Sequence, residues 1–196
     1  MALEKKTDMK FKVFILFNLI CFTAFSQKIH SVKVLPGQGI VYDNDSILLF
    51  KTTIKQVCSI FKIKYEPNPN EYTINNWDGF EAETGKRTSG SEYSHEIKFK
   101  SINFEFTDEK DRNNLKLKWI TIQKDKSLRV FTESGLEIGM INPKIIDLYP
   151  KGEKNDYISD NKLTYNLYTY GISMQLVQLP NNDLKLTEIS THYKLK

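Results

Sequence analysis

Cysteine and histidine are both scarce in this chain, and their scarcity removes several kinds of site. The 196 residues contain two cysteines and three histidines. Cys21 lies within an apolar N-terminal run, so a chain cut after that run keeps only Cys58 and forms no intramolecular disulfide. No two histidines stand at i, i+2 or i, i+4, which zinc sites commonly need. The sequence therefore predicts neither a metal site nor a bound cofactor.

An excess of charge of one sign is also missing. The formal net charge is +4, from 28 basic and 24 acidic residues. Residues 1–26 hold four of the basic and two of the acidic residues, so their removal leaves 24 against 22, a net charge of +2. With lysines spread through the chain, this balance gives no electrostatic basis for nucleic-acid binding. Gly37 and Gly39 have no glycine-rich continuation, so no phosphate-binding loop is indicated.

A hydrophobic run long enough to predict a spanning helix is absent as well. The run from Val13 to Ala24 has twelve mostly apolar residues, fewer than the roughly 18 that indicate a transmembrane helix. A short basic stretch precedes it, and Ala24 and Ser26 place small residues at the −3 and −1 positions of a cut before Gln27. This layout is typical of a bacterial-type secretory signal peptide.

We therefore predict that residues 1–26 are a signal peptide, with Met9 as an alternative start. Cleavage near Ser26-Gln27 gives a periplasmic or secreted protein that meets a membrane only through the transient signal segment. Two alternatives stay open. The run is retained as an uncleaved anchor, or Cys21 is lipid-modified, although the preceding Ile20 is larger than the residue that normally stands there.

Two strand-pair patterns recur in the two halves of the remaining chain. The corresponding apolar positions are Ile102 with Ile172, Phe104 with Met174, Phe106 with Leu176, Leu115 with Leu184, Leu117 with Leu186 and Ile120 with Ile189. Period-two alternation is typical of half-buried strands. We interpret the pattern as an internal duplication; two unrelated hairpins that look alike are the alternative. The alignment also pairs Trp119 with Glu188, so one of them is expected to face solvent or an interface.

A short helix is predicted before each strand pair. Thr53 and Gln56 form a capping box at the start of the first helix. Asn142 is a favourable N-cap for the second, followed by Pro143 at the first helical position, and Pro150 ends it. From Thr53 to Ile102 there are 49 residues, and from Asn142 to Ile172 there are 30, so the first half carries an insertion.

These patterns predict an α+β fold of two similar halves, each a short helix packed on antiparallel strands. After the signal peptide, residues 27–45 are an N-terminal strand segment, and residues 46–125 are the first α+β repeat with an inserted hairpin at 77–91. Residues 126–196 are the second α+β repeat.

The order of these elements, with the segments Gly135–Gly139 and Tyr170–Met174, resembles the tandem α+β repeat of the beta-lactamase inhibitor protein family and of small outer-membrane assembly lipoproteins. The resemblance covers roughly Ser46–Thr191. It implies helices on one face of an antiparallel sheet and, in the inhibitor family, a concave sheet that grips another protein. The segments Leu35–Ile40 and Lys51–Val57 are also similar to uncharacterised exported bacterial proteins.

Residues with catalytic or ligating chemistry mostly have a structural interpretation. Cys58 falls on the apolar face of the first predicted helix, so we predict a buried thiol without reactivity. His30, His95 and His192 are predicted as surface or strand-edge histidines. Asp43-Asn44-Asp45 has the oxygen-rich composition of a calcium loop but lacks its later ligands, so a β-turn is predicted there.

One aromatic segment is the best candidate for binding. Tyr72, Trp77, Asp78 and Phe80 lie close together next to the predicted insertion. Trp and Tyr are favoured anchors at protein interfaces, and aromatics beside Asn and Asp also suit a sugar. The alternative is that Trp77 and Phe80 cover the sheet while Asp78 makes a turn. A second aromatic cluster, with Tyr168 and Tyr170, is predicted on one face of a strand.

No catalytic signature stands out, so the leading hypothesis is an exported, non-enzymatic module that binds another protein. A carbohydrate- or envelope-binding module that uses Tyr72–Phe80 is the alternative. An enzyme is the third hypothesis and would need a pair such as Asp78 with His95.

Overall fold

The computed structural model describes residues 28–65, 73–81, 86–108, 114–150, 153–159 and 161–194, with the backbone alone for 75–81, 86–91 and 153–159. Within these residues the fold is mostly β, with twelve strands and two short helices. The prediction of an α+β fold, with a helix packed on strands in each half, is therefore wrong. The apolar alternation of the strands is satisfied by a second sheet, and the helices cover only small parts of the core.

Most consecutive strands of the described chain form antiparallel hairpins. The elements are β1 (His30–Leu35), β2 (Gly39–Tyr42), β3 (Asp45–Leu48), α1 (Ile54–Phe61), β4 (Thr73–Glu81), β5 (Lys86–Phe99), β6 (Ile102–Asp108), β7 (Lys116–Gln123), β8 (Leu128–Thr132), α2 (Ile145–Leu148), β9 (Glu153–Ser159), β10 (Lys162–Leu167), β11 (Ile172–Gln178) and β12 (Leu184–His192).

Two sheets contain these strands. The larger sheet has the order β4-β5-β6-β7-β12-β11-β10-β9, and its neighbours are all antiparallel. The smaller sheet has the order β3-β2-β1-β8. There β1 and β8 are parallel, with Val32 opposite Val130. A parallel pair needs a crossover connection. Here the chain between β1 and β8 contains β4 to β7, which are half of the larger sheet.

The core lies between the two sheets. On β6, Ile102, Phe104 and Phe106 are at most 1% exposed, while Asn103 and Glu105 between them are half-buried. Side chains that alternate in this way point to opposite faces of a strand. The apolar faces of both sheets belong to one cluster of buried side chains, and burial of each large apolar side chain contributes roughly 1.5–3 kcal/mol.

The first helix begins where the sequence predicts. Thr53 Oγ1 accepts from the backbone N–H of Gln56, and the Gln56 side chain accepts from the backbone N–H of Thr53, so the capping box is present. Val57, Cys58 and Phe61 are buried. Lys62 then adopts a left-handed conformation (φ 55°) and ends the helix. The prediction of a buried Cys58 is confirmed.

The second predicted helix start is wrong. Asn142 does not cap a helix; it has φ 48°, and its side chain bonds Asp183 Oδ1 at 2.7 Å and the Leu184 N–H at 2.8 Å. The one-turn helix α2 begins at Ile145 after Lys144, which makes no side-chain cap bond. The hydrogen bond between Asn142 and a residue 42 positions away in sequence therefore replaces the local capping bond that the sequence predicts.

The strand pairing repeats at the positions that the sequence comparison aligned. The hairpin β6–β7 pairs Ile102 with Ile122, Phe104 with Ile120 and Phe106 with Leu117, and β11–β12 pairs Ile172 with Thr191, Met174 with Ile189 and Leu176 with Leu186. Each hairpin has its register shift at the same place, before Phe106 and before Leu176. The two four-stranded halves meet along β7 and β12, so the larger sheet has approximate twofold symmetry.

The connections from the smaller to the larger sheet also correspond. The Phe50 N–H donates to the Leu117 carbonyl at 2.8 Å, and the Gly139 N–H donates to the Leu186 carbonyl at 2.8 Å. Leu117 and Leu186 are an aligned pair in the two hairpins. Phe50 and Gly139 both have positive φ, 60° and 107°. What repeats is therefore a pattern of backbone pairing.

Candidate functional site

The predicted binding segment lies at one edge of the larger sheet. Trp77, Asp78 and Phe80 are in the edge strand β4, and their backbones pair with Gly90, Ser89 and Arg87 of β5. The side chains of these three residues, and Tyr72 altogether, lie outside the described residues. Of the predicted inserted hairpin at 77–91, residues 77–81 belong to β4 and residues 86–91 to β5, and residues 82–85 lie outside the described residues.

The face of the larger sheet that points away from the core, here called the outer face, is polar. A row of hydrogen-bonding side chains crosses six neighbouring strands at its middle. This middle row consists of Lys98, Asn103, Thr121, Ser190, Ser173 and Asn166. At strand spacings of about 4.8 Å, the row is roughly 24 Å long. Such a surface is wide enough to contact a macromolecule.

One aromatic pair breaks this polar surface. Trp119 on β7 faces His192 on β12, and their rings stack with centroids 4.2 Å apart and planes 19° from parallel. The ring of Tyr168 lies 5.4 Å from that of His192. Trp119 is half-buried, whereas His192 is only 1% exposed. Trp119 is therefore a large, partly accessible aromatic side chain on a rigid support.

Hydrogen bonds hold the imidazole of His192 in a single orientation. Its Nδ1 lies 2.9 Å from the Tyr193 carbonyl oxygen, and its Nε2 lies 3.1 Å from Ser173 Oγ. Burial lowers the pKa of His192. A neutral ring satisfies both contacts when Nδ1–H donates to the carbonyl and Nε2 accepts from the serine hydroxyl.

The aromatic pair has a polar counterpart across the twofold axis. The sequence alignment pairs Trp119 with Glu188, and the same symmetry places Gln123 where His192 stands. Gln123 Nε2 donates to Glu188 Oε2 at 3.0 Å. The two pairs that the twofold axis relates therefore differ in chemistry. Trp119 and His192 are aromatic, whereas Glu188 and Gln123 are polar.

The outer face is acidic beside Trp119. Burial raises the pKa of Glu105, and the neighbouring carboxylates of Glu96 and Glu92 raise it further, against the opposing charge of Lys118. Burial also opposes the ionisation of Glu92, but the Lys118 ammonium, whose Nζ lies 2.7 Å from Glu92 Oε1, helps to lower the pKa overall. Lys98 Nζ lies 3.0 Å from Glu96 Oε2. Three carboxylates and two ammonium groups thus stand together on β5, β6 and β7.

Next to the middle row, on the side of the β5–β6 turn, the outer face holds a polar cleft of about 310 Å³. Its lining residues come from the β5–β6 turn and the adjoining strands. They are Lys98, Lys100, Ser101, Ile102, Asn103, Thr121 and Gln123. The outer face therefore carries negative charge beside Trp119 and positive charge at this cleft.

The described residues offer little for catalysis. Ser173 and His192 resemble a nucleophile and its base, but they are 7% and 1% exposed, so a substrate cannot reach them. Cys58 is buried and its pKa is raised by that burial, the opposite of a reactive thiol. Among the described residues, no group of three or more His, Cys, Asp and Glu side chains is arranged to hold a metal ion.

The Asp43–Asp45 segment forms the predicted turn between β2 and β3. Asp43 Oδ1 accepts from the Ser31 N–H at 2.9 Å, and Asp43 Oδ2 lies 2.8 Å from His30 Nδ1. The side-chain hydrogen bond with His30 and the backbone bond from Ser31 lower the pKa of Asp43. Both carboxylate oxygens therefore already have protein partners.

The surface prediction for the histidines is wrong for His95 and His192, which are 7% and 1% exposed. His95 points into the core opposite Phe106, and His192 is enclosed by residues of neighbouring strands. The predicted strand positions of Tyr168 and Tyr170 are also wrong, because both lie in the turn between β10 and β11. Sequence reasoning missed His192 as a site residue, although the alignment of Trp119 with Glu188 marked the neighbourhood.

Comparison with protein-family models, curated proteins and solved structures found no match to this chain. The resemblance to the inhibitor and lipoprotein families stays a prediction. In the described part of the chain, no helix has both the length and the apolar character to cross a membrane.

Proposed function

We propose that this chain is an exported, non-enzymatic module that binds another protein through the outer face of its larger sheet. The observation that carries the proposal is Trp119, a half-buried indole set in a polar surface and supported by the buried ring of His192. Interface anchors are typically large aromatic side chains that the free protein already holds in place.

The orientation of the Trp119 ring favours a protein over a sugar at this position. Neighbouring strands are about 4.8 Å apart, and the two rings are 4.2 Å apart and nearly parallel. They therefore stand side by side, and the imidazole covers one face of the indole. A sugar stacks on a free aromatic face, whereas a protein side chain packs equally well against an aromatic edge.

The charges around Trp119 specify the partner further. Glu105 lies directly opposite Trp119 on β6. Glu92 and Glu96 lie one strand further, on β5, where the ammonium groups of Lys118 and Lys98 pair with them. Complementary potentials steer association and exclude wrong partners. We therefore expect the partner to present a basic side chain next to the pocket or groove that receives the indole.

The test is affinity capture with a C-terminally tagged protein from the envelope and secreted fractions of its host. The wild-type chain should retain one partner near one-to-one, and Trp119→Ala should lower the yield at least tenfold with an unchanged melting temperature. Ile146→Ala is the matched control, because Ile146 is 40% exposed on α2 and away from the outer face. The proposal is wrong if Trp119→Ala captures the same partner as well as the wild type does.

Trp77→Ala belongs in the same experiment. If capture depends on Trp77 and not on Trp119, the edge strand β4 is the interface and the outer face is not. If neither variant matters and glycans quench the tryptophan fluorescence, the carbohydrate-binding alternative at Tyr72–Phe80 replaces the proposal.

A further inference from the structure

Phe50 has a backbone conformation that a large side chain rarely adopts. Its φ is 60°, and the other non-glycine residues with positive φ in the described part of the chain are Asp, Asn or Lys. For a bulky residue a positive φ is an outlier that costs free energy. Such outliers cluster at binding sites, where the position of the side chain has a use. The presence of Phe at this position therefore needs an explanation.

The second half of the molecule shows that the fold does not need an aromatic residue at this position. Gly139 occupies the corresponding place, and its N–H donates to the Leu186 carbonyl at 2.8 Å. The Phe50 N–H donates in the same way to the Leu117 carbonyl at 2.8 Å. Gly139 also has a positive φ, 107°, which glycine adopts without strain. A glycine at position 50 would therefore complete the same turn.

The ring of Phe50 contributes little to the core. Phe50 is 47% exposed, whereas the preceding Leu49 is 5% exposed. The Phe50 ring contacts that of Tyr193, which is 41% exposed, with centroids 6.3 Å apart and planes at 64°. This edge-to-face arrangement is favourable for two aromatic rings, and both rings remain open to solvent. Exposed aromatic side chains that support each other are suited to pack against an apolar side chain of a partner.

Phe50 and Tyr193 lie just beyond the Trp119–His192 stack. Tyr193 follows His192, and its carbonyl oxygen is 2.9 Å from His192 Nδ1. Phe50 is hydrogen-bonded to Leu117, two residues before Trp119 in β7. Because β7 and β12 are antiparallel, both positions lie on the same side of the stack. Two residues of a strand span about 7 Å, so the two aromatic pairs are near neighbours.

On the other side of Trp119 stands a carboxylate that is present in one half of the molecule only. Glu105 lies directly opposite Trp119 on β6. The neighbouring carboxylates on β5 have ammonium partners, whereas no ammonium group among the described residues forms an ion pair with Glu105. The corresponding residue of the second half is Gln175, opposite Glu188. The carboxylate is therefore placed only where an aromatic side chain stands beside it.

We propose that this surface binds an extended segment of the partner protein with a basic side chain and, two residues away, a large apolar side chain. The basic side chain lies beside Trp119 and pairs with Glu105. The apolar side chain packs against Phe50 and Tyr193. Alternate side chains of an extended segment point to the same side and are about 7 Å apart, which matches the step between Trp119 and the residue that Phe50 adjoins. The inference rests on the proposed function, because it specifies the partner of the same surface.

The test is a selection of peptides from a phage-displayed library of random dodecapeptides on the purified, immobilised protein. We expect the selected sequences to share a Lys or Arg with Leu, Ile, Met or Phe two residues away. Synthetic copies that carry fluorescein should bind the wild type with dissociation constants near micromolar, measured by fluorescence anisotropy. Trp119→Ala should weaken this binding about tenfold or more.

Variants of Phe50 separate recognition from folding. Phe50→Gly removes the ring and the backbone strain together, so it should melt at or above the wild-type temperature while it binds the peptides about tenfold more weakly. Phe50→Asn should bind as weakly, because Asn tolerates a positive φ and has no ring. Leu148→Ala is the matched control, since Leu148 is 42% exposed on α2, and it should bind like the wild type.

Repeated selection identifies the role of each position. On Phe50→Gly the selected peptides should keep the basic residue and lose the apolar preference, and on Glu105→Gln the reverse. The inference is overturned if peptides that depend on Trp119 bind both Phe50 variants as tightly as the wild type; the proposed function then stands without it. It is also overturned if both Phe50 variants melt well below the wild type, or if the library gives no peptide that depends on Trp119. Capture of a protein through Trp119 is a separate readout.

Discussion

Thr121 Oγ1 lies 3.0 Å from Ser190 Oγ, and this hydrogen bond marks the centre of the larger sheet. The two residues face each other where the halves of the sheet join. Under the approximate twofold symmetry, Thr121 corresponds to Ser190, so the pair maps onto itself. On either side the chemistry diverges into the Trp119–His192 stack and the Gln123–Glu188 hydrogen bond. The hydroxyl pair thus joins two half-sheets whose surfaces differ.

This pair should contribute measurably to the cohesion of the halves. We expect Thr121→Val and Ser190→Ala each to lower the free energy of unfolding by about 1 kcal/mol, because each leaves a hydroxyl without its partner. The double variant should lose less than the sum, since groups in contact are coupled. Urea unfolding of the four proteins gives the coupling energy. If the two single losses are additive in the double variant, the hydrogen bond does not couple the two residues. A second cycle, which combines Thr121→Val with Gln123→Ala, is the control.

The local part of this architecture could be predicted from the sequence. Alternation located the strands around Phe104 and Met174, and Thr53 with Gln56 located the start of α1, because each signal depends on neighbours within a few residues. The fold class was wrong because the same alternation suits a helix layer or a second sheet. Which one covers the strands depends on the long-range pairing of β1 with β8.

The candidate site depends on contacts between distant segments, which a single sequence does not reveal. Trp119 and His192 are separated by 73 positions and stack only because β7 and β12 adjoin. Asn142 illustrates the same limit. Its good capping propensity is overridden by Asp183 and Leu184, to which it bonds at 2.7 and 2.8 Å. Aligning the two halves residue by residue was the one available signal, and it located Trp119.

Gly171 should be one of the least replaceable residues of the fold. It has φ 71°, and a Cβ there would lie 2.5 Å from the Gly37 Cα and 2.6 Å from the His192 carbonyl oxygen. Gly139 is the matched control, with φ 107° and nothing within 4 Å of a Cβ. We expect Gly139→Ala to cost about 1–2 kcal/mol from its backbone conformation. Gly171→Ala should cost clearly more, because rigid backbone atoms must also move.

Urea midpoints of the two glycine variants check this order. Equal losses would show that the turn at Gly171 relaxes freely and that the Gly37 N–H to Gly171 carbonyl bond, 2.9 Å long, does not hold the two turns together.

His192 should make the protein less stable in acid. Its pKa is lowered, chiefly by burial, so below about pH 6.5 the unfolded state binds a proton that the folded state does not. Stability therefore falls as the pH drops from 6.5 through the folded pKa. His192→Gln should remove this part of the pH dependence. Proton NMR of the imidazole should give a midpoint below 6.5, and a midpoint at or above that value contradicts the buried neutral ring.

Glu105 should act in the opposite direction. Burial, together with the charges of Glu96 and Glu92, raises its pKa, so between its ordinary value of 4.5 and the raised value the folded state binds the extra proton. Stability then falls as the pH rises through this window, and the loss persists at neutral pH. Glu105→Gln should therefore raise the free energy of unfolding at pH 7 and have little effect below about pH 4.5.

Glu96→Gln separates the two causes of the raised Glu105 pKa. It removes one neighbouring carboxylate and leaves Glu105 buried, so the midpoint of Glu105, followed by ¹³C NMR of its carboxyl carbon, should move down towards 4.5 without reaching it. An unchanged midpoint would assign the shift to burial and to Glu92, and would leave no part for Glu96. A complete return to 4.5 would assign the whole shift to the charge of Glu96. In the expected intermediate case, a cation placed beside Trp119 lowers the Glu105 pKa, so partner binding near that pKa releases protons and tightens as the pH rises.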